Sequence, residues 1–190
     1  MAITISGNGI TSANIADGTI TNADINTSAA IDASKLTGTG KVLQVLQTVV
    51  TNQASVNPSS SWTDWTGLSV TITPSSTSSK ILVTASVNTS AGNNHDSAQR
   101  LMRDSTPICI GDSYGSWLRA TTGGGVHRQA HEMTNYSINY LDSPATTSAT
   151  TYKLQCWDNT TMWLNRENNS TFYSGNSVGA STITVMEIGA

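Results

Sequence analysis

Ser181-Thr182-Ile183-Thr184-Val185-Met186-Glu187-Ile188 is the stretch that decides the fold class. Successive side chains of a strand point to opposite faces, so Ile183, Val185 and Glu187 share one face while Thr182, Thr184, Met186 and Ile188 share the other. Both faces carry apolar atoms, as expected of a central strand or of one packed against another subunit. The same period of two runs through Thr150 to Trp157, Lys80 to Thr89, Val42 to Asn52, Leu68 to Thr73, Ala98 to Asp104, Arg128 to Leu141 and Met162 to Arg166. Turn-forming clusters separate these runs: Asn57 to Ser61, Pro74 to Ser79, Ala91 to Asn94, Gly123 to Gly125, Ser143-Pro144 and Glu167 to Ser170. The pattern predicts eight or nine short antiparallel strands over residues 41–190. An all-β antiparallel sandwich with the jelly roll as its eight-stranded form fits that number.

Composition agrees. Only 11% of the 190 residues are charged, against about a quarter in an ordinary domain, while Thr, Ser and Asn number 29, 26 and 16. Thr with branched and aromatic residues favours strands; Ser, Asn and Gly favour turns. A net charge of −3 with nine Lys and Arg scattered along the chain supplies no basic patch, so no nucleic-acid partner is expected. The longest apolar run, around Val42 to Val50, is broken by Gln44 and Gln47 and is far shorter than the roughly 20 residues of a membrane helix. No membrane insertion is expected. Met1-Ala2-Ile3-Thr4 has neither the basic region nor the apolar core of a secretion signal, and export by that route is not expected.

Residues 1–40 follow a different rule. They hold no aromatic residue, and Ile10, Ile15, Ile20 and Ile25 recur at a spacing of five, followed by Ile31. Five is neither a helix nor a strand period; Ala13-Asn14-Ile15 and Ala23-Asp24-Ile25 read as a degenerate pentapeptide repeat whose aliphatic residues point inward. So few turns cannot hide these side chains alone, because repeat units need neighbours to stack on. The prediction is a stem, 1–40, wrapped with sister chains through Ile10, Ile15, Ile20, Ile25, Ile31 and Leu36. One helical turn is expected within Ala29 to Leu36, and Gly38-Thr39-Gly40 forms the joint to a head domain, 41–190.

Signatures of catalysis are missing: there is no GxSxG elbow, HExxH or phosphate-cradling glycine loop. The chain is expected not to be an enzyme and to need no cofactor. On a strand, His127 and His131 would stand roughly 13 Å apart, too far to share a metal ion, and no metal is expected. Cys109 and Cys156 form no CxxC pair; buried thiols in a reducing cytosol are the expectation, with a disulfide left open. Rings are more informative. Tyr152 and Trp157, within a regular strand, are expected in the core, whereas Trp117, in Gly115-Ser116-Trp117, and Phe172-Tyr173, after Asn168-Asn169-Ser170, are candidate receptor contacts on loops.

The stretch from Ile10 to Ile25, with Ile31-Asp32-Ala33-Ser34-Lys35-Leu36, resembles the N-terminal stems of tailed-phage fibre and virion-decoration proteins. Arg103-Asp104-Ser105-Thr106-Pro107-Ile108, Leu141 to Thr147, Thr151-Tyr152-Lys153-Leu154 and the Thr182 to Ile188 strand are similar to the heads of phage tail fibres, especially those of cyanobacterial phages. The resemblance implies a homotrimer in the virion, assembled in the host cytoplasm. Its stem would attach to other virion proteins of the tail, baseplate or capsid, and its head would bind host-surface glycan or protein. With almost no shaft, the chain is also compatible with a capsid or baseplate decoration or cement protein that stabilises the particle without receptor binding.

Overall fold

The structure, a computed structural model, describes residues 41–92, 95–127, 132–168 and 175–189. The stem residues Ile10, Ile15, Ile20, Ile25, Ile31 and Leu36, the helical turn expected among them, and Phe172 and Tyr173 all lie outside the described residues. Eleven strands follow in order: β1 (Lys41–Val50), β2 (Ala54–Val56), β3 (Thr63–Ile72), β4 (Lys80–Ser90), β5 (His95–Arg103), β6 (Thr106–Ile108), β7 (Thr122–His127), β8 (Thr134–Asp142), β9 (Thr150–Trp157), β10 (Met162–Leu164) and β11 (Ser181–Gly189). No helix occurs among the described residues.

All pairings are antiparallel and make two sheets. In the first, sheet A, β11 lies between β1 and β4, and β8 holds the far edge of β4. Past the end of β11, β10 takes over beside the last residues of β4, with β2 outside it. In sheet B, β9 lies between β3 and β5, while β6 and β7 share the other edge of β5. Each sheet thus draws strands alternately from both halves of the chain, in the order of a jelly roll. The expected all-β antiparallel sandwich is observed.

Inner faces follow from parity. Along β9, Thr150, Tyr152, Leu154 and Cys156 are buried and their odd-numbered neighbours are half exposed. Ile81, Val83 and Val87 of β4 and Ile183 and Val185 of β11 meet them from sheet A. Polar pins cross the gap between the sheets. The Tyr152 hydroxyl donates to Asp142 Oδ2 at 2.6 Å, and Arg103 Nη1 lies 3.0 Å from each Asp142 oxygen. The Tyr136 hydroxyl and Ser97 Oγ are 2.8 Å apart. Burial, together with the carboxylate that accepts its proton, drives the Tyr152 phenol far above its ordinary pKa.

Glu187 shares the inward face with Ile183 and Val185 and is fully buried. It stays charged because its oxygens accept from Gln44 Nε2 at 2.6 Å, Ser75 N at 2.7 Å and Ser75 Oγ at 2.6 Å. Burial pushes its pKa up, but these hydrogen bonds outweigh burial and hold it at about 2, against an ordinary 4.5. A depressed folded pKa adds stability that is complete above about 4.5 and is lost as pH falls toward about 2. Thermal melts over that window should therefore show a falling melting temperature. Glu187→Gln should be less stable at neutral pH and fall less steeply over the same window, keeping only the part due to other carboxylates such as Asp64; an equally steep fall in the variant would contradict the assignment.

The sequence reading departs from this architecture in several places: β3 begins at Thr63, before the expected Leu68, and of the strand expected over Arg128 to Leu141, residues 128–131 lie outside the described residues and β8 begins at Thr134. Gly123 to Gly125, expected as a turn, lie inside β7. The short edge strands β2 and β6 have too few residues for a period to register. Trp157, expected in the core, projects from the opposite face of β9 to Tyr152 and is half exposed. Both cysteines are free thiols: Cys156 is buried, which pushes its thiol up to about 12, and Cys109 is only partly covered.

Candidate functional site

Between β6 and β7 the chain leaves the edge of sheet B and returns to it. Thr121 ties the return to β5 and β6: its N–H donates to Gln99 O at 3.0 Å, and its hydroxyl accepts from Leu101 N at 2.8 Å and donates to Ile108 O at 3.3 Å. The neck of the excursion is closed by Gly111 N donating to Ala120 O at 3.1 Å and Arg119 Nε donating to Gly111 O at 2.7 Å. At the tip, Trp117 N donates to Tyr114 O across a turn in which Gly115 has φ +53°, a left-handed conformation suited to glycine. The Tyr114 and Trp117 rings meet edge to face, 5.4 Å apart at 86°. Trp117 is 75% exposed, so the loop presents its indole to solvent as the sequence suggested.

Beneath this loop is an open cleft of about 720 Å³. Trp157 of β9, Ala98 of β5 and Gly123 of β7 form one cross-strand row across its floor. A Cβ on Gly123 would sit 2.8 Å from Ala98 Cβ and 2.9 Å from Ala98 Cα, so only glycine fits there. That close approach falls at the bulge between Ser97 and Ala98 and explains a glycine run inside a strand. The row pairs one large ring with two small residues, which leaves space beside the Trp157 indole. Around the floor stand Trp117, Leu118, Arg119, Asp96 and Asp112. Two carboxylates, one guanidinium and two indoles thus converge on one cavity.

The same outer face continues past Trp157. Arg100, two residues along β5 from Ala98, stacks its guanidinium over the Trp62 ring at 4.3 Å and donates to Gln155 Oε1 at 2.7 Å. Gln155 Nε2 and Lys153 Nζ each donate to Asp64 at 2.6 Å. Partial burial pushes the Asp64 carboxyl up, but these two hydrogen bonds and the Lys153 charge outweigh it and hold the pKa below the usual range. The face is therefore a row of aromatic rings edged by fixed polar groups. Trp117 is legible from its Gly and Ser neighbours; Trp157 and Asp96 are not, because only the strand register places them on one side, and Trp62 and Asp112 join them from the segments that flank β3 and β6.

Among the described residues no group of three or more His, Cys, Asp and Glu is placed to hold a metal ion. His131 lies outside the described residues, and β7 ends at His127. No helix among them is long and apolar enough to cross a membrane.

No family model and no curated protein matches the chain. Among solved structures, a chain in the structure of the infectious bursal disease virus Gx strain is similar, with a TM-score of 0.34 and 10% identity over 87% of this chain. The similarity takes in 47% of that chain, so this protein spans about half its length.

Proposed function

We propose that this is a non-enzymatic structural protein of a virus particle, a short tail fibre. Its stem, residues 1–40, attaches to the virion, and its trimeric head adsorbs to glycan on the host surface. The cleft under the Tyr114–Trp117 loop carries this reading. Indole faces stack on the C–H faces of sugar rings, and rigid rings give contact area at little entropic cost. The carboxylates of Asp96 and Asp112 accept no side-chain hydrogen bond among the described residues, which leaves their oxygens available to accept from sugar hydroxyls, while Arg119 is fixed at the loop neck. A concave site with apolar walls and a few convergent polar groups is the usual form of a small-ligand pocket. The stem resemblance supplies the virion setting.

The test is adsorption of the purified full chain to host cells and to their envelope glycan. Trp157→Ala and Trp117→Ala should each weaken binding about tenfold or more, the effect of removing a central anchor, with unchanged thermal stability. Undiminished binding by both variants would overturn the reading. Antibody against the protein should label tail tips; label confined to capsid faces would favour the decoration alternative, and release of reducing ends from the glycan would show an enzyme.

A further inference from the structure

The opposite outer face, on sheet A, has a different chemistry. Val45, Met186, Leu82 and Leu141 are consecutive cross-strand partners on β1, β11, β4 and β8, so an apolar row crosses the whole sheet. They point away from the core, since their neighbours Ile81, Val83 and Val185 point into it. Val45 is 52% exposed and Leu141 50%. Three strand spacings make this row about 14 Å long. Val42, also exposed, lies opposite Ile188 beside it. The polar end of the face is roofed by the chain at Gly179-Ala180, where Asn88 Nδ2 donates to Ala180 O, whereas no described segment covers the apolar end.

The row ends at an open edge. β1 is ten residues long and pairs with β11 on one side; among the described residues no strand pairs with its other side. From Val42 to Val50 it contains no charge and no proline, and Val42, Leu43, Val45, Leu46 and Val49 are all exposed. Natural sheets protect their edges with lysine, proline, bulges or a covering segment, because a long, uncharged, apolar edge recruits other chains. Among the described residues, β1 has such devices only at its start, Lys41 and a bulge between Val42 and Gln44, and none from Val45 to Val50.

We infer that this apolar row and the β1 edge are where a second copy of this chain packs. Two observations select that occupant. Val45, Gln47 and Val49 on β1 and their partners across β11, β4 and β8 carry no charge, and the one cation in the neighbouring row, Lys80 opposite Ile188, donates to Ser143 Oγ at 3.0 Å at the end of the face, so the centre of the face offers nothing to a charged partner and is compatible with its own surface. In addition, the forty residues that precede Lys41 carry the five-spaced isoleucines that need sister chains, and they join the head at the first residue of β1. Copies bundled through those residues are delivered to this edge by chain connectivity. The inference rests on that stem reading but not on glycan binding, and the two fail separately.

The decisive experiment incorporates a photoreactive residue at position 45 of the full chain and co-assembles light chains with ¹⁵N-labelled ones. Cross-linked peptides of mixed isotope that join position 45 to β1, β4, β8 or β11 of another chain are expected. Links made only within one chain, including to its own residues 1–40, or only to a different protein, would overturn the inference. Independently, Val45→Glu with Leu141→Glu should raise the dissociation constant for self-association at least tenfold with an unchanged near-ultraviolet circular dichroism spectrum. Unaltered self-association, or a wild-type chain that is monomeric at all concentrations, would also overturn it. Should the double glutamate variant misfold, Val45→Thr with Leu141→Thr is read by the same criterion.

Discussion

A chain ending at Thr184, without residues 185–190, should fail to fold: no cooperative thermal transition and no near-ultraviolet signature of packed aromatic rings. The reason is position in the sheet. β11 is hydrogen-bonded on both sides, to β1 from Lys41↔Gly189 through Val50↔Ser181 and to β4 from Ile188↔Lys80 through Thr182↔Ser86. Truncation removes the partners of Lys41 to Leu46 on one flank and of Lys80 to Val83 on the other, leaving two rows of backbone donors and acceptors facing each other across a gap in the middle of the sheet. Each buried polar group left unpaired costs about 1 to 3 kcal/mol. Val185 is lost from the core, and the Glu187 clasp on Gln44 and Ser75 goes with it. Against a total stability of about 5 to 15 kcal/mol these losses are decisive. Ile188→Ala, at a half-buried outward position, should keep the cooperative transition. A truncated chain that melts cooperatively with a native β spectrum would refute the central role of β11.

Parity made most of the sandwich legible and also shows where reading failed. In Thr150 to Trp157 the alternation is regular, and the observed strand has those same limits. Tyr152 and Trp157 are five apart, however, so on one strand they must face opposite sides, and only one of them can be core. Glu187 could be placed on a buried face, but the groups that keep it charged lie 143 and 112 positions away in sequence, at Gln44 and Ser75. Gly123 to Gly125 have no side chains to alternate; their strand is set by contact with Ala98, a constraint that belongs to β5. The cleft was hidden for the same reason: Trp117 announces itself by its loop, but Trp157, Ala98 and Gly123 become neighbours only through two strand pairings.

The core itself is tested most severely at Trp65. Its indole is almost wholly buried in β3, and Nε1 donates to Gln99 Oε1 at 2.8 Å. Gln99 is fully buried too, and its Nε2 has no hydrogen-bond partner among the described residues, so the Trp65 bond is what satisfies this side chain inside the sandwich. Trp65→Ala should cost about 3 to 5 kcal/mol through the cavity it leaves. The orphaned Gln99 carbonyl adds to that, for a loss in melting temperature on the order of 10 °C in a domain of this size. Trp65→Phe keeps the six-membered ring and loses the donor with the smaller ring around it, so it should cost less than Trp65→Ala, about 1 to 3 kcal/mol. Adding Gln99→Leu to Trp65→Phe removes the stranded amide, and the double variant should regain stability relative to Trp65→Phe alone. Urea titrations of the wild type, Trp65→Phe, Gln99→Leu and the double variant give the coupling between the two sites. Independent, additive effects would mean that the indole acts by volume alone, and that the hydrogen bond across β9 adds nothing to the choice of tryptophan at this position.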